Sequence, residues 1–176
     1  MATNWKIDPT HSEIQFKVKH LMITTVTGNF NEFDATAVTE EDDFSSVSSV
    51  DFTASIDSIS TNNSQRDEHL RSADFFDASQ YPSLTFKSNR VDKSGDEFTV
   101  SGDLTIKDTT KPITLKAEFG GIVVDPYGQT KAGFTVSGKI SRKEFGLTWS
   151  AVTEAGQVVV SDDIRLIAEI QFVKQA

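Results

Sequence analysis

Eight stretches of this chain alternate apolar and polar residues with a period of two, and this repetition constrains the fold more than any other feature. In the first, Ile14, Phe16, Val18 and His20 share one face, and Glu13, Gln15, Lys17 and Lys19 share the other. The second, Thr24 to Val38, carries Val26, Gly28 and Phe30. It then shifts register so that Phe33, Ala35 and Ala37 continue the apolar row, which predicts a bulge. The third, Val47 to Ile59, turns Val50, Phe52, Ala54 and Ile56 inward, and the fourth turns Leu84 and Phe86. Phe98, Val100, Gly102, Leu104 and Ile106 form the apolar row of the fifth, and Ile113, Leu115, Ala117 and Phe119 that of the sixth. The seventh carries Ala132, Phe134, Val136, Gly138 and Ile140, and the eighth Ile164, Leu166, Ala168, Ile170 and Phe172.

Short connections rich in turn-forming residues separate these stretches, among them Asp92 to Asp96, Lys107 to Pro112 and Asp125 to Gly128. Short links make sequential strands antiparallel neighbours. Eight such strands, each with one apolar face, either stack as two sheets or close into a barrel, and closure removes both exposed edges. An internal echo favours the barrel. FTVSGDLTIK (Phe98 to Lys107) and FTVSGKISRK (Phe134 to Lys143) match in residue type, with VTGNF (Val26 to Phe30) as a weaker third copy. Each holds a mid-strand glycine, so Gly28, Gly102 and Gly138 are expected bending points. The expected fold is all-β, an eight-stranded antiparallel barrel with a short helix after the third strand, in a single domain spanning residues 1–176. Strands of about ten residues tilted near 40° make a barrel roughly 26 Å tall.

The helix is predicted from the stretch RDEHLRSADFFDASQYPSLTF, Arg66 to Phe86. Ser64 followed by Asp67 resembles a capping box, so the helix is expected to begin near Gln65. Arg66, His69, Leu70, Ala73 and Phe76 would share one side, and Asp67 and Arg71 would form an i,i+4 pair. The charged run looks like an active site, but the positions three and four residues from His69 hold Gln65, Arg66, Ser72 and Ala73, none of them a strong metal ligand. His69 is expected to be a partly buried, hydrogen-bonded side chain.

Composition narrows the function classes. The chain has no cysteine, which excludes disulfides, thiolate catalysis and cysteine zinc sites. A net charge of -9 repels phosphate backbones, so no nucleic acid is expected as a partner. Thirteen Phe stand against two Tyr and two Trp, which suits a dry interior where no aromatic ring needs a hydrogen-bond partner. No window holds the roughly 18 apolar residues of a spanning helix, so the chain is not expected to be membrane-embedded. The N-terminus MATNWKID lacks the features of a signal peptide. As written the chain is expected to be soluble and cytoplasmic, and periplasmic if a leader has been removed.

The three histidines are His11, His20 and His69, and nothing local brings them together on a metal. His11 and His20 lie an odd number of positions apart, so on one uninterrupted strand they face opposite ways. Asp8, His11 and Ser12 have the residue types of an acyl-transfer triad, but neighbours along an extended segment are not expected to orient one another. His20 shares the parity of Phe16 and Val18 and is expected to face inward. Arg142 shares the parity of Ile140 and is expected to point inward at a strand end. Each can be a satisfied structural side chain or can hold the head group of a ligand.

Taken together, WKIDPTHSEIQFKVKH, VTGNF, RDEHLRSADFFD with YPSLTF, GDLTIKDTTKPI and SRKEFGLTW resemble the YceI-like family of polyisoprenoid-binding proteins, in order and over nearly the whole chain. The resemblance implies a lipocalin-like barrel whose interior holds a polyisoprenoid or other long-chain lipid, with no catalytic residues, no metal and no cofactor. The inward residues expected to line it are Phe16, Val18, His20, Phe30, Phe52, Ile56, Phe86, Leu104, Ile106, Leu115, Phe134, Ile140 and Leu166, with His20 and Arg142 at the head group. The leading expectation is a soluble lipid carrier acting in transport. The rivals are an enzyme acting on such a lipid and a filled barrel that serves as an interaction module. A homodimer is left open.

Overall fold

The computed structural model describes residues 2–21, 23–147 and 160–176. The strands are β1 (Thr3–Ile7), β2 (Glu13–His20), β3 (Thr24–Phe30), β4 (Phe33–Thr39), β5 (Val47–Ser55), β6 (Ile59–Ser60), β7 (Ser83–Ser94), β8 (Glu97–Ile106), β9 (Thr109–Val124), β10 (Thr130–Ser141) and β11 (Val160–Lys174), with one helix, α1 (Ser64–Arg71). Eight of the strands close a ring of antiparallel pairs, β1-β4-β5-β7-β8-β9-β10-β11, through the pairing of β11 back onto β1. The expected eight-stranded antiparallel barrel is therefore what the chain forms.

The strand count rises to eleven because two of the eight stretches are each broken once and a further strand, β1, precedes the first. Before the first stretch, Asp8 caps a 3-10 turn over Pro9–His11 by accepting the Thr10 N–H at 3.0 Å, and Pro9 fits the start of such a turn because it has no N–H to satisfy. This separates β1, which the alternation count left out, from β2. The second stretch breaks at Asn31 and Glu32, where the register shift was expected, and the third at the 3-10 turn Ile56–Ser58. The fifteen-residue β11 spans the gap between β1 and β2, pairing its C-terminal end with β1 (Ile7 opposite Phe172) and its middle with β2 (Phe16 opposite Leu166).

Register carries the inward parity around the ring. Phe98 lies opposite Ala117, Ala117 opposite Val136, Val136 opposite Ala168, Ala168 opposite Ile14, and Ile14 opposite Phe30. On the far wall the sequence Ala35, Phe52, Phe86, Leu104 runs across four strands in the same way. A one-residue slip in any pair would turn its apolar row to solvent. Gly102 faces Ser88 beside a bulge in β7, and a Cβ there would run into the Lys87 carbonyl oxygen and come within 2.7 Å of Ser88 Cα. Gly28 and Gly138 serve close approach instead of bending, making room for the Phe16 ring and for Leu115.

The helix differs in detail from expectation. Its N-cap is Asn63, whose side chain accepts the Arg66 N–H at 3.1 Å, and it ends at Arg71. Asp67 is buried and takes both the backbone N–H and the hydroxyl of Thr61, at 2.8 and 2.6 Å. It is therefore turned toward β6 and away from the expected pairing with Arg71. His69 is hydrogen-bonded as expected, its Nε2 lying 3.0 Å from Asp74 Oδ2 and its ring edge-on to Phe75.

Candidate ligand cavity

The barrel encloses a cavity of about 200 Å³. Its lining comes from every strand of the closed ring except β1, together with β2, β3, Phe44, Phe76 and Leu147, and Gln15 is the one lining residue without a hydrocarbon side chain. The cavity is a consequence of alternation on a closed sheet. Half of the side chains on each strand must point inward, and in this chain those positions hold Phe, Leu, Ile, Val and Ala. An empty volume of this size is far above the roughly 10–15 Å³ that admits one water. With Gln15 the one hydrogen-bonding side chain on its wall it offers water little and an alkyl or prenyl chain much.

The two ends differ chemically. At one end lie the start of β1, the end of β11 and the turns between β7 and β8 and between β9 and β10. Here the connection between β4 and β5 drops Phe44 into the barrel. Phe44 is 4% exposed although its neighbours Glu40, Glu41, Asp42 and Asp43 are all exposed. Its ring centroid lies 4.7 Å from Trp5, 4.8 Å from Phe134, 6.2 Å from Phe119 and 6.3 Å from Phe172. Trp5 donates its Nε1–H to Thr39 Oγ1 at 3.0 Å, and Thr39 donates in turn to the Glu41 carbonyl, so the polar atoms of this end are satisfied outside the cavity.

At the other end, beside α1, a second cavity of about 230 Å³ shares Phe16, Phe76, Leu147 and Ile164 with the first. Its wall also carries Lys19, His20, Thr61, Arg66, His69 and Arg142 and, among the described residues, no Asp or Glu. In a chain of net charge -9 this is a chamber bordered by basic residues, although nearly all of the surface they turn to it is hydrocarbon. Two of its cations are held in place by the protein. Arg66 donates through Nε to Thr61 Oγ1 and through Nη2 to the Thr61 carbonyl, both at 2.7 Å. Arg142 opens a 3-10 turn after β10 and is 1% exposed. Its guanidinium donates to the carbonyls of Ser161 at 2.9 Å, Leu147 at 2.7 Å and Val160 at 3.3 Å. Burial pushes the Arg142 pKa below its ordinary value, with the nearby Asp162 charge acting against that shift.

Ten of the thirteen residues expected to line the interior stand on the wall of the main cavity: Phe16, Phe30, Phe52, Phe86, Leu104, Ile106, Leu115, Phe134, Ile140 and Leu166. Val18 lines the second chamber. His20 also borders that chamber but is exposed at the end of β2, because parity sets the face of a side chain and not how far the barrel extends over it. Ile56 is 1% exposed yet borders neither cavity, since the 3-10 turn that begins there takes it out of the strand row. Arg142 is buried as its parity suggested, and a turn, not a strand, presents it.

Phe44, Phe76, Thr61 and Arg66 escaped the alternation reading because none sits on a strand face. The signal for Phe44 was a lone aromatic inside the polar run Glu40 to Ser46, a position where a phenyl ring gains little unless it is buried.

The residue types of the acyl-transfer triad also find their places. The 3-10 turn brings His11 Nδ1 to 2.9 Å from Asp8 Oδ2, closer than an extended segment would allow. Ser12 Oγ accepts the Gln171 N–H at 3.0 Å, pinning this segment to β11. Asp8 also meets Lys131 at 3.2 Å, and Lys131 reaches Asp125 at 3.4 Å. Hydrogen bonds from Thr10 and His11, together with Lys131, hold the Asp8 carboxyl well below the usual carboxylate range. This group reads as a clamp that ties the turn before β2 to β10, β11 and the turn after β9. Among the described residues no helix is long and apolar enough to cross a membrane.

Known proteins of the same kind share this architecture. Protein YceI of Salmonella newport is 37% identical over 177 residues, covering 99% of this chain and 89% of its own length. The crystal structure of the Campylobacter jejuni YceI protein, 35% identical, superposes with a TM-score of 0.76 over 90% of each chain. A polyisoprenoid-binding domain from Saccharophagus degradans, implicated in plant cell wall breakdown, has the same fold at 14% identity, with a TM-score of 0.70 over 97% of this chain and 98% of its own. The YceI-like domain matches residues 5–172, and with these relatives it shows that the chain belongs to the YceI-like domain family.

Proposed function

We propose that this protein binds a long-chain isoprenoid or similar lipid, with the tail in the main cavity and the head group in the basic chamber beside α1, and carries it without chemical change. The observation that carries this reading is the composition of the main wall, where every residue but Gln15 has a hydrocarbon side chain. The polyisoprenoid-binding domain of the same fold supports it. Each buried methylene contributes roughly 0.8 kcal/mol, so a five-carbon isoprene unit gives on the order of 3 kcal/mol before ordering costs. One hydrogen bond to a head group adds about 1 kcal/mol. Tail length therefore controls affinity, and the chamber tunes it.

A carrier reading also fits the distribution of titratable groups. Among the residues that border the two cavities they fall in the second one, and two of them, Arg66 and Arg142, are committed to Thr61 and to backbone carbonyls. The chamber should prefer an anionic head. The test is native mass spectrometry of the purified protein with two lipids of equal tail, prenyl phosphate and prenol, followed by solvent extraction. The expected result is one lipid per chain recovered intact, with the phosphate preferred and the preference reduced in Lys19→Gln/Arg66→Gln. Release of a product over many equivalents would establish an enzyme instead, and a barrel that takes up neither lipid would favour an interaction module.

A further inference from the structure

If the proposed lipid binds head-first in the basic chamber, the opposite end of the barrel decides how long a tail can be. At that end a side chain from outside the strands, Phe44, is inserted into the barrel. The connection from Thr39 to Val47 is neither strand nor helix, and it carries four consecutive acidic residues followed by Phe44. Its polar side chains anchor it from outside. Asp42 accepts from Thr3 at 2.6 Å and pairs with Lys174 at 3.0 Å, the Glu40 N–H donates to the Ser46 carbonyl at 3.0 Å, and Ser46 Oγ donates to Glu40 at 3.1 Å. Asp43 folds the chain back by accepting from the Ser45 N–H at 3.0 Å. These contacts hold the strap across the barrel end and drive the Phe44 ring into the axis, where it meets Trp5, Phe119, Phe134 and Phe172.

Phe44 borders the main cavity, so its ring is a wall the ligand would meet end-on. Phe86 and Leu104 lie opposite each other in neighbouring strands of the wall and bound the cavity from the side. The axis is thus graded, from three cations and two histidines at the chamber to aromatic hydrocarbon at the stopper. An amphiphile placed by that gradient ends its tail against Phe44. We propose that Phe44 is a specificity-determining residue that sets the longest tail the barrel encloses, a ruler built from the strap and held by Asp42 and Glu40. Removing the ring lengthens the admissible tail by about the size of one isoprene unit, because the space released is that of a small hydrocarbon group.

The experiment offers the protein an equimolar series of prenols that differ by one isoprene unit, from farnesol to undecaprenol, and reads occupancy of each by native mass spectrometry. Wild type is expected to show a length beyond which occupancy falls. In Phe44→Ala that length should move up by about one unit, and the ratio of the first excluded prenol to the last accepted one should rise at least about tenfold. Phe44→Leu keeps an apolar stopper and should move the profile in the same direction by less. It also secures the test if the alanine variant does not show a cooperative melt. Identical profiles in wild type and both folded variants would overturn the ruler while leaving lipid binding intact. A wild type that takes up no prenol would overturn the binding reading and the ruler with it.

Discussion

Replacing Leu104 with Asp puts an ionisable group at the heart of the proposed site, and its effect can be worked out from the structure. Leu104 is 5% exposed, lines the main cavity and lies opposite Phe86. With the barrel empty, water can reach the new carboxylate, since the cavity is about 200 Å³. A bound tail expels that water, and no lining side chain other than Gln15 could replace its hydrogen bonds. Losing the leucine contacts costs about 2 kcal/mol, and burying even the neutral carboxyl without a partner costs a further 2 kcal/mol or more. Together these make binding on the order of a thousandfold weaker. The charged form costs more still, so the bound state raises the carboxyl pKa and binding takes up a proton. Affinity of Leu104→Asp for a neutral prenol should therefore rise as pH falls from about 8 toward 5, by up to tenfold per unit in the range where the free carboxyl is ionised and the bound one is not. Leu104→Asn should be weak at every pH. Titration by intrinsic fluorescence quenching, on variants shown to melt cooperatively, measures all three proteins. Wild-type affinity in folded Leu104→Asp at pH 8 would refute the placement of the tail against this wall.

Three more outcomes concern positions elsewhere in the barrel. Gly102→Ala should destabilise the barrel by about 1–3 kcal/mol in chemical denaturation, because the new methyl meets the backbone at Lys87 and Ser88, which cannot step aside. Gly28→Ala should cost less, because it meets the ring of Phe16, which borders the cavity and can move into it, and should weaken lipid uptake instead. Asp8 is held in its charged form by Thr10, His11 and Lys131, so its folded pKa lies below its unfolded one. The stability it contributes is present above the ordinary Asp value of about 4 and is lost as pH falls below it. The difference in melting temperature between wild type and Asp8→Asn should accordingly shrink as pH drops from about 6 to 2, and a constant difference would show that the clamp does not act through charge.

The parity of the barrel is legible in residue spacing alone. Side chains alternate across a strand for reasons local to the backbone, so the residues that face inward could be read from spacing, from Phe16 and Phe52 to Phe134 and Leu166. The pattern was legible even where the chain breaks, as at Asn31 and Glu32, because a register shift leaves its mark on the apolar row. Local reading also located α1. It could not see where strands end or what returns to meet them. His20 has inward parity but sits on the last residue of β2, where the wall no longer covers it. Asp67 was assigned to a helical neighbour, yet Thr61 lies closer in space once β6 leads into α1. Two of the three carbonyls that the buried Arg142 guanidinium meets, those of Val160 and Ser161, reach it because β11 begins beside the turn that carries it. Phe44 belongs to no periodic element at all. Its place in the barrel was decided by Thr3 and Lys174, residues from the two ends of the chain that closure of β1 onto β11 brings to Asp42. Periodicity is a property of a few consecutive residues, whereas a stopper, a basic chamber and a closed ring depend on contacts between segments that only folding brings together.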